Sequence, residues 1–297
     1  MTKPLPVFYS PLYTAAAEDF DTTRKATWIA SSLVADPLTG VGLVCPPSLT
    51  RAQLATVHAP EYIEAVRTGH PRAVAESSGL GWCAKVWPAV RASSGGAVAA
   101  AKSAVASGRS AGSLSSGLHH ARRAFGAGFC TFNGLALAAA AVLSQAPRRR
   151  VLILDLDAHG GGGTYSLVRE WASVVQLDIS VCPLDLYEPA GASTLDVVDE
   201  AGAYLPTLAR RLSDLTTTDF DLVLYNAGVD PYEGCDVGGL TGVTAAVLAA
   251  RDQMVFDWAR RRQTPVAFVL AGGYVGAGLS QATLVGLHRQ TIAAARG

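Results

Sequence analysis

A doubly wound, mostly parallel α/β sheet with helices on both faces is the fold class that this 297-residue sequence predicts. Three observations point there. Short, almost wholly apolar runs alternate with longer Ala-rich stretches of helical character, and such alternation builds a parallel sheet. Those runs lack the apolar–polar alternation of a half-exposed strand, so both of their faces need cover. Only 16% of the residues are charged and 49% are apolar, against about 25% charged in ordinary soluble domains. A chain this long buries roughly three quarters of its unfolded surface, and α/β folds often run past about 250 residues as one unit. We therefore read 1–297 as a single domain.

Taken in order, Val7–Tyr9 is the first strand run and Thr22–Val34 the first helical stretch. Val41–Val44 is the next strand. Pro60–Thr68 follows as a helix whose proline suits the first helical position. Pro88–Ala106 is a long helix, and the Gly- and Ser-rich segment Ser107–Gly117 reads as a loop around a short strand. Helix Gly134–Ser144 leads to strand Val151–Leu154, then strand Val174–Leu177 and helix Asp199–Leu212. Strand Leu222–Tyr225, helix Thr244–Arg262, strand Val266–Leu270 and helix Ser280–Ala295 complete the chain, several of the helices opening on a Pro or Thr suited to a helix start. Arg148–Arg150 reads as a solvated loop, and no internal repeat or domain linker interrupts the pattern.

Composition excludes several function classes. Lys+Arg and Asp+Glu are both 24, so the net charge is zero and there is no electrostatic footprint for nucleic acid or an anionic membrane. The longest apolar stretch, Leu135–Leu143, is far short of the ~20 residues of a spanning helix. The first residues, MTKPLPVFYSPLY, lack the continuous apolar core of a secretory signal. Cys45, Cys83, Cys130, Cys182 and Cys235 are widely spaced with no CxxC, which reads as buried thiols in a reducing compartment. A cytoplasmic location is the expectation.

In a doubly wound sheet the ligand sits beyond the carboxyl ends of the strands. Directly after Val151–Leu154 comes Asp155-Leu-Asp157-Ala-His159-Gly-Gly-Gly-Gly163. Strand alternation carries Asp155, Asp157 and His159 in one direction, and two carboxylates with an imidazole suit a divalent cation. The glycines permit a tight turn beside them. The competing reading is Asp side chains that merely cap turns. Asp230, in Asn226-Ala-Gly-Val-Asp230 after another strand, is a candidate third ligand or a turn residue. One His and two Asp would leave an open coordination position, the pattern of a catalytic metal. His119-His120, in a Gly-bounded loop, can serve as general base and electrostatic partner only beside such a metal. Ala271-Gly-Gly-Tyr274 can bring a hydroxyl to a developing oxyanion, or can be a plain Gly-rich turn. His58, His70 and His288 lack a partner pattern and read as structural or exposed.

Together these loops resemble the zinc-dependent histone deacetylase family. The matching segments are GLHHA (117–121), GAGFCTFN (126–133), LDLDAHGGGGT (154–164), NAGVDPYEG (226–234) and AGGY (271–274). VHAPEYIEAVR (57–67) resembles a further family segment. They span nearly the whole chain in the family's order, and the details look closest to the class IV branch. The resemblance implies an arginase/deacetylase-like fold and a zinc-dependent amidohydrolase that removes acetyl or longer fatty acyl groups from lysine side chains through metal-activated water. It makes Asp157, His159 and Asp230 the zinc ligands, His119 and His120 the catalytic pair with His120 the base, and Tyr274 the group polarising the scissile carbonyl. It implies that Asp155 orients His119 and, beside Asp178, holds a structural K+ or Na+. Gly128 and Phe129 would line the acyl-lysine tunnel.

Three departures from the family pattern stand out. Gly162 replaces an Asp or Asn that would orient the second histidine, which leaves His120 without its usual partner. Ser115-Ser116-Gly117 replaces a Pro-Pro-Gly lead-in, and Cys235 replaces an Asp after Glu-Gly. Two other readings stay open: a deacetylase of a small acylated amine, such as an acetylpolyamine or biosynthetic intermediate, and a catalytically silent homologue that binds acylated ligands. Ureohydrolases share the fold, but NAGVDPYEG supplies one well-placed Asp where they require a DxD.

Overall fold

A computed structural model of the protein describes residues 3–16 and 21–297. Its strands are β1 (Leu5–Phe8), β2 (Val41–Val44), β3 (Ala111–Ser113), β4 (Val151–Asp155), β5 (Val174–Ser180), β6 (Thr194–Val197), β7 (Leu222–Gly228) and β8 (Val266–Ala271). They form one eight-stranded sheet in the order β2-β1-β3-β8-β7-β4-β5-β6, with every neighbouring pair parallel. The helices are α1 (Asp21–Ala35), α2 (Arg51–Leu54), α3 (Pro60–Thr68), α4 (Arg72–Ala75), α5 (Val86–Ser107), α6 (Gly134–Leu143), α7 (Gly162–Val168), α8 (Ala201–Asp214), α9 (Ala245–Arg261) and α10 (Gln281–Arg296).

The unbroken apolar strand runs have a direct cause. Successive side chains of a strand point to opposite faces, and here both faces are covered. Leu152 and Leu154 of β4 pack with Ile29 and Leu33 of α1, Leu208 of α8, Val255 of α9 and Ile292 of α10. Val151 and Ile153 of the same strand join a second core with Ile63 of α3, Val98 of α5 and Leu135 of α6. β7 and β8 divide their residues in the same way. Each fully buried Leu, Ile or Val contributes about 1.5–3 kcal/mol relative to exposure, so a polar residue in either core position is strongly disfavoured.

Helix ends follow local chemistry. Pro60 opens α3, and Gly69, at a φ of 79°, closes it by donating its N–H to Ala65 O. Asn133 caps α6 by accepting the Ala136 N–H, and Thr244 and Ser280 cap α9 and α10 in the same manner.

The strands run further than their apolar cores suggest. β5 continues through Asp178 to Ser180 and β7 through Asn226 to Gly228, because ladder pairing holds these polar residues where the sheet meets the site. The four-residue edge strand β6 carries no sequence signal, being short and half-exposed. Gly162 and Gly163, expected in a turn, open α7. The expectation of buried thiols holds only for Cys130 and Cys235. Cys45 and Cys83 are exposed and Cys182 is half-buried, with no disulfide among the described residues. No helix among these residues is long and apolar enough to cross a membrane.

Of the three histidines without a pattern, His58 and His288 are buried and His70 is exposed. His58 has a definite task. Its Nε2 accepts the Asn133 N–H at 3.0 Å, which leaves Nδ1–H to donate to Arg122 O at 2.9 Å. Burial lowers its pKa to about 4 and keeps it in that neutral form.

Candidate active site

The strand order sets β3, β8, β7, β4 and β5 side by side, so the loops leaving their carboxyl ends converge. The β4 loop carries Asp157 and His159, and the β7 loop carries Asp230. These three, all buried, bring ligand atoms within 4.8 Å of one another. His159 Nδ1 lies 3.0 Å from Asp157 Oδ1 and 3.3 Å from Asp230 Oδ2. Asp230 Oδ1 accepts the Ala158 N–H at 3.1 Å, whereas its buried Oδ2 makes no hydrogen bond.

Two carboxylates buried together demand a positive charge. Burial disfavours a charged His159, yet Asp157 and Asp230 outweigh it and raise its pKa to about 11. Burial likewise pushes the Asp157 carboxyl up, but His119 and His159 hold it well below the usual carboxylate range. Asp230 is raised to about 6 by burial and by the Asp157 charge. Mixed oxygen and nitrogen donors, a concentrated negative charge and an orphaned carboxylate oxygen fit a divalent cation such as Zn2+.

The paired histidines leave β3 through Ser115-Ser116-Gly117 and Leu118, the latter at a φ of 55°. Asn133 fixes the loop's backbone: its Nδ2 donates to Ala121 O at 3.1 Å and its Oδ1 caps α6. Both rings are buried, at 4% and 6% exposure, although adjacent side chains in a regular strand would diverge. Their Nε2 atoms are 3.1 Å apart. His119 Nδ1 is 2.8 Å from Asp155 Oδ2, whose other oxygen accepts from Asn226 Nδ2 at 2.8 Å. Burial opposes a charge on His119, but Asp155 and Asp157 outweigh it and raise its pKa to about 10. His120 is lowered instead, by burial and then by the neighbouring His119 charge. The two residues thus divide into a cation and a neutral imidazole, the split required of an electrostatic partner and a base.

His120 is not left alone. Its Nδ1 lies 2.7 Å from Asp185 Oδ2, in the loop after β5, and this corrects the expectation drawn from Gly162.

Tyr274 arrives from β8 by way of Gly272 and Gly273. Gly272 sits at a φ of 57° with its Cα against Asp230, where an added Cβ would lie 2.3 Å from the carboxyl carbon, so only glycine passes here. Burial, then the Asp230 and Asp157 charges, raise the Tyr274 pKa and keep its hydroxyl protonated. His119, His120, Asp157, His159 and Tyr274 line one cavity of about 210 Å³, together with Gly128 and Phe129. Asp178 lies beside rather than within this set, accepting the Gly161 N–H at 2.7 Å. Burial and the Asp155 charge raise its pKa.

With this geometry in place, the comparisons with known proteins are specific. Residues 20–288 match the Histone deacetylase domain. The chain belongs to the histone deacetylase family. It is similar to an uncharacterized protein of Picosynechococcus sp., 34% identical over 231 residues that cover 75% of this chain and 76% of that one. Histone deacetylase 2 of Arabidopsis thaliana is 28% identical over 248 residues, 78% of this chain and 63% of the plant protein. Acetylpolyamine aminohydrolase from Burkholderia pseudomallei superposes with a TM-score of 0.80 at 19% identity, covering 98% of each chain, and so shares the fold. By family the protein is a hydrolytic deacetylase, with the arginase/deacetylase fold.

Three residues around the site escaped the sequence reading. Lys25 of α1 lines the cavity and donates to Gly272 O. Burial lowers its pKa to about 8, against the opposing pull of Asp230 and Asp157. Its signal was available: Lys25, Ile29 and Leu33 recur at helical spacing, which puts the lysine on the buried face. Arg251 of α9, fully buried, donates to Leu156 O at 3.3 Å and to Gly228 O, pinning the backbone next to Asp157 and Asp230. Its spacing from Leu248 and Val255 carried the same signal. Asp185 had none.

Proposed function

We propose that the protein is a zinc-dependent deacylase of lysine side chains, with Asp157, His159 and Asp230 holding the ion. The observation that carries this reading is the meeting of that buried ligand set, two of whose members line the cavity, with a neutral His120 and a protonated Tyr274 in the same cavity. When bound, Zn2+ supplies a Lewis acid and lowers the pKa of a water from about 15.7 towards ~7. The chain's own residues do the rest. With Nδ1–H donated to Asp185, His120 keeps a lone pair on Nε2 and takes the attacking water's proton there. Water oxygen bonds to the carbonyl carbon, and the Tyr274 hydroxyl donates to the resulting oxyanion. The C–N bond then breaks, the proton passes from His120 Nε2 to the leaving amine, and carboxylate and amine depart. His119, charged and tied to Asp155, keeps a positive charge beside the oxyanion throughout.

Gly128 and Phe129 form part of the cavity wall, consistent with a narrow passage for an acyl-lysine stem. The same reading keeps a monovalent cation beside Asp155 and Asp178, where Gln176 Nε2 also donates to both Asp178 oxygens. The single domain over 1–297, the cytoplasmic setting and an acylated amine as the substrate belong with it.

Steady-state hydrolysis of acyl-lysine peptides of increasing chain length, run beside acetylpolyamines, tests the substrate class. The expected result is a higher kcat/KM on acyl-lysine peptides than on any acetylpolyamine. A preference for the polyamines would move the assignment to small-molecule deacetylation, and binding of acyl ligands without turnover would leave the silent homologue.

A further inference from the structure

We propose that Asp185, held by Arg122, is the positioning residue of His120, and that Gly162 lacks a side chain because this carboxylate reaches the histidine from another loop. The inference rests on His120 acting as the base in the function proposed above.

The arrangement is over-determined. Asp185 Oδ2 lies 2.7 Å from His120 Nδ1 and also accepts the Gly163 N–H at 3.1 Å. The other oxygen, Oδ1, pairs with Arg122, whose Nη1 donates to Gly162 O at 3.0 Å. Gly162 N–H in turn donates to Asp185 O at 3.1 Å. The loop after β5 is thus stitched to the start of α7 from both sides, and the Asp185 side chain is only 13% exposed.

Two backbone facts show that this site is built rather than incidental. Asp185 adopts a φ of 56°, a left-handed conformation that costs a residue with a Cβ and is tolerated best by Asn and Asp. A Cβ on residue 162 would stand 2.5 Å from Asp185 O and 2.6 Å from Oδ1. A side chain at 162 and this course of the 183–186 loop therefore exclude each other. The family pattern places the orienting group at 162, the third position of the glycine run; this chain places it 23 residues later in the sequence, at His120 Nδ1. The carboxylate has moved, not vanished. Its consequence is a fixed tautomer, with the proton on Nδ1 and the lone pair on Nε2, 3.1 Å from His119 Nε2. Arg122, paired with Oδ1, keeps the acceptor oriented.

The test uses the full-length, zinc-loaded protein. Asp185→Ala is expected to lower kcat about 10–100-fold with KM and bound zinc little changed, the usual cost of removing a group that orients a catalytic histidine. Arg122→Gln, which leaves the carboxylate but frees it to rotate, is expected to show a smaller loss of the same kind and serves if Asp185→Ala does not fold. A purely structural tie would instead lower the melting temperature and raise KM, leaving kcat of the folded fraction intact; that result overturns the proposal. Long-range 1H–15N correlations on histidine-labelled protein read the tautomer without any turnover. His120 is expected as Nδ1–H in the wild type and as Nε2–H or a mixture in the variant. An unchanged tautomer in folded variant overturns the role of Asp185 even if the enzyme is active. A wild type that hydrolyses no acyl amide, but whose tautomer depends on Asp185, overturns the proposed function and leaves this inference standing.

Discussion

His120→Ala is expected to lower kcat by about 10²–10⁴-fold, the range that a positioned acid–base group contributes, while zinc remains bound. The size of the effect follows from the division of labour in the histidine pair. His119 sits between Asp155 at 2.8 Å and Asp157 at 3.6 Å, and these acidic neighbours raise its pKa to about 10 against the effect of burial. It therefore holds a proton at neutral pH and cannot accept another. His120, buried next to that cation, is lowered and stays neutral. Only one imidazole of the two carries a ring lone pair, on the His120 Nε2 that lies 3.1 Å from His119 Nε2, so removing it leaves no substitute base in the pair. Metal content should not move, because the proposed ligands of the ion are Asp157, His159 and Asp230. Steady-state kinetics with metal analysis on the same samples read both quantities. A variant with wild-type kcat would place the base elsewhere, and one that lost its zinc would show that the ring supports the metal loop instead.

Tyr274→Phe should cost about 10²–10³ in kcat, the usual effect of deleting one donor to a developing oxyanion. The phenyl ring keeps the packing that Tyr274 makes against the cluster of Val229, Leu248 and Leu284, so folding should be preserved. The hydroxyl is a donor that stays protonated, because burial and the nearby Asp230 and Asp157 charges raise its pKa. Its loss bears on the transition state and not on the ground state, which predicts an unchanged KM with a reduced kcat. Unchanged turnover would remove Tyr274 from the chemistry and leave it a wall of the cavity.

How legible this was in the sequence varied from one element to the next. Strands β4, β7 and β8 are buried on both faces, so their apolar runs identify them without any periodicity. The ends of β5 and β7 were lost because Asp178 and Asn226 look like loop residues, and only the sheet ladder shows that they are still strand. Asp157, His159 and Asp230 were readable because each follows a strand that the fold class makes a neighbour of the others. Lys25 and Arg251 were readable in principle, as charges in phase with a buried helix face, and passed unnoticed among ordinary surface cations. Asp185 could not be read. Its loop has no periodicity, and its distance from His120 is set by the left-handed turn and by the space above Gly162, neither of which sequence spacing encodes.

The fold also gives the low charge content a location. Buried Asp155, Asp157, Asp178, Asp230, His119, His120 and His159 gather where β3, β4, β5, β7 and β8 end, whereas buried His58, His288 and Asp252 do not line the cavity. Zero net charge offers no steering towards basic protein tails.

The most direct measurement is a zinc titration of chelator-treated protein, with bound metal and amide hydrolysis read on the same samples. Activity is expected to be absent without metal and to return in proportion to bound Zn2+, reaching its plateau at one ion per chain. Asp157→Asn and Asp230→Asn should lose both together. Full hydrolysis at zero bound zinc, or undiminished zinc binding by the two variants, would contradict the assignment of Asp157, His159 and Asp230 as the metal centre.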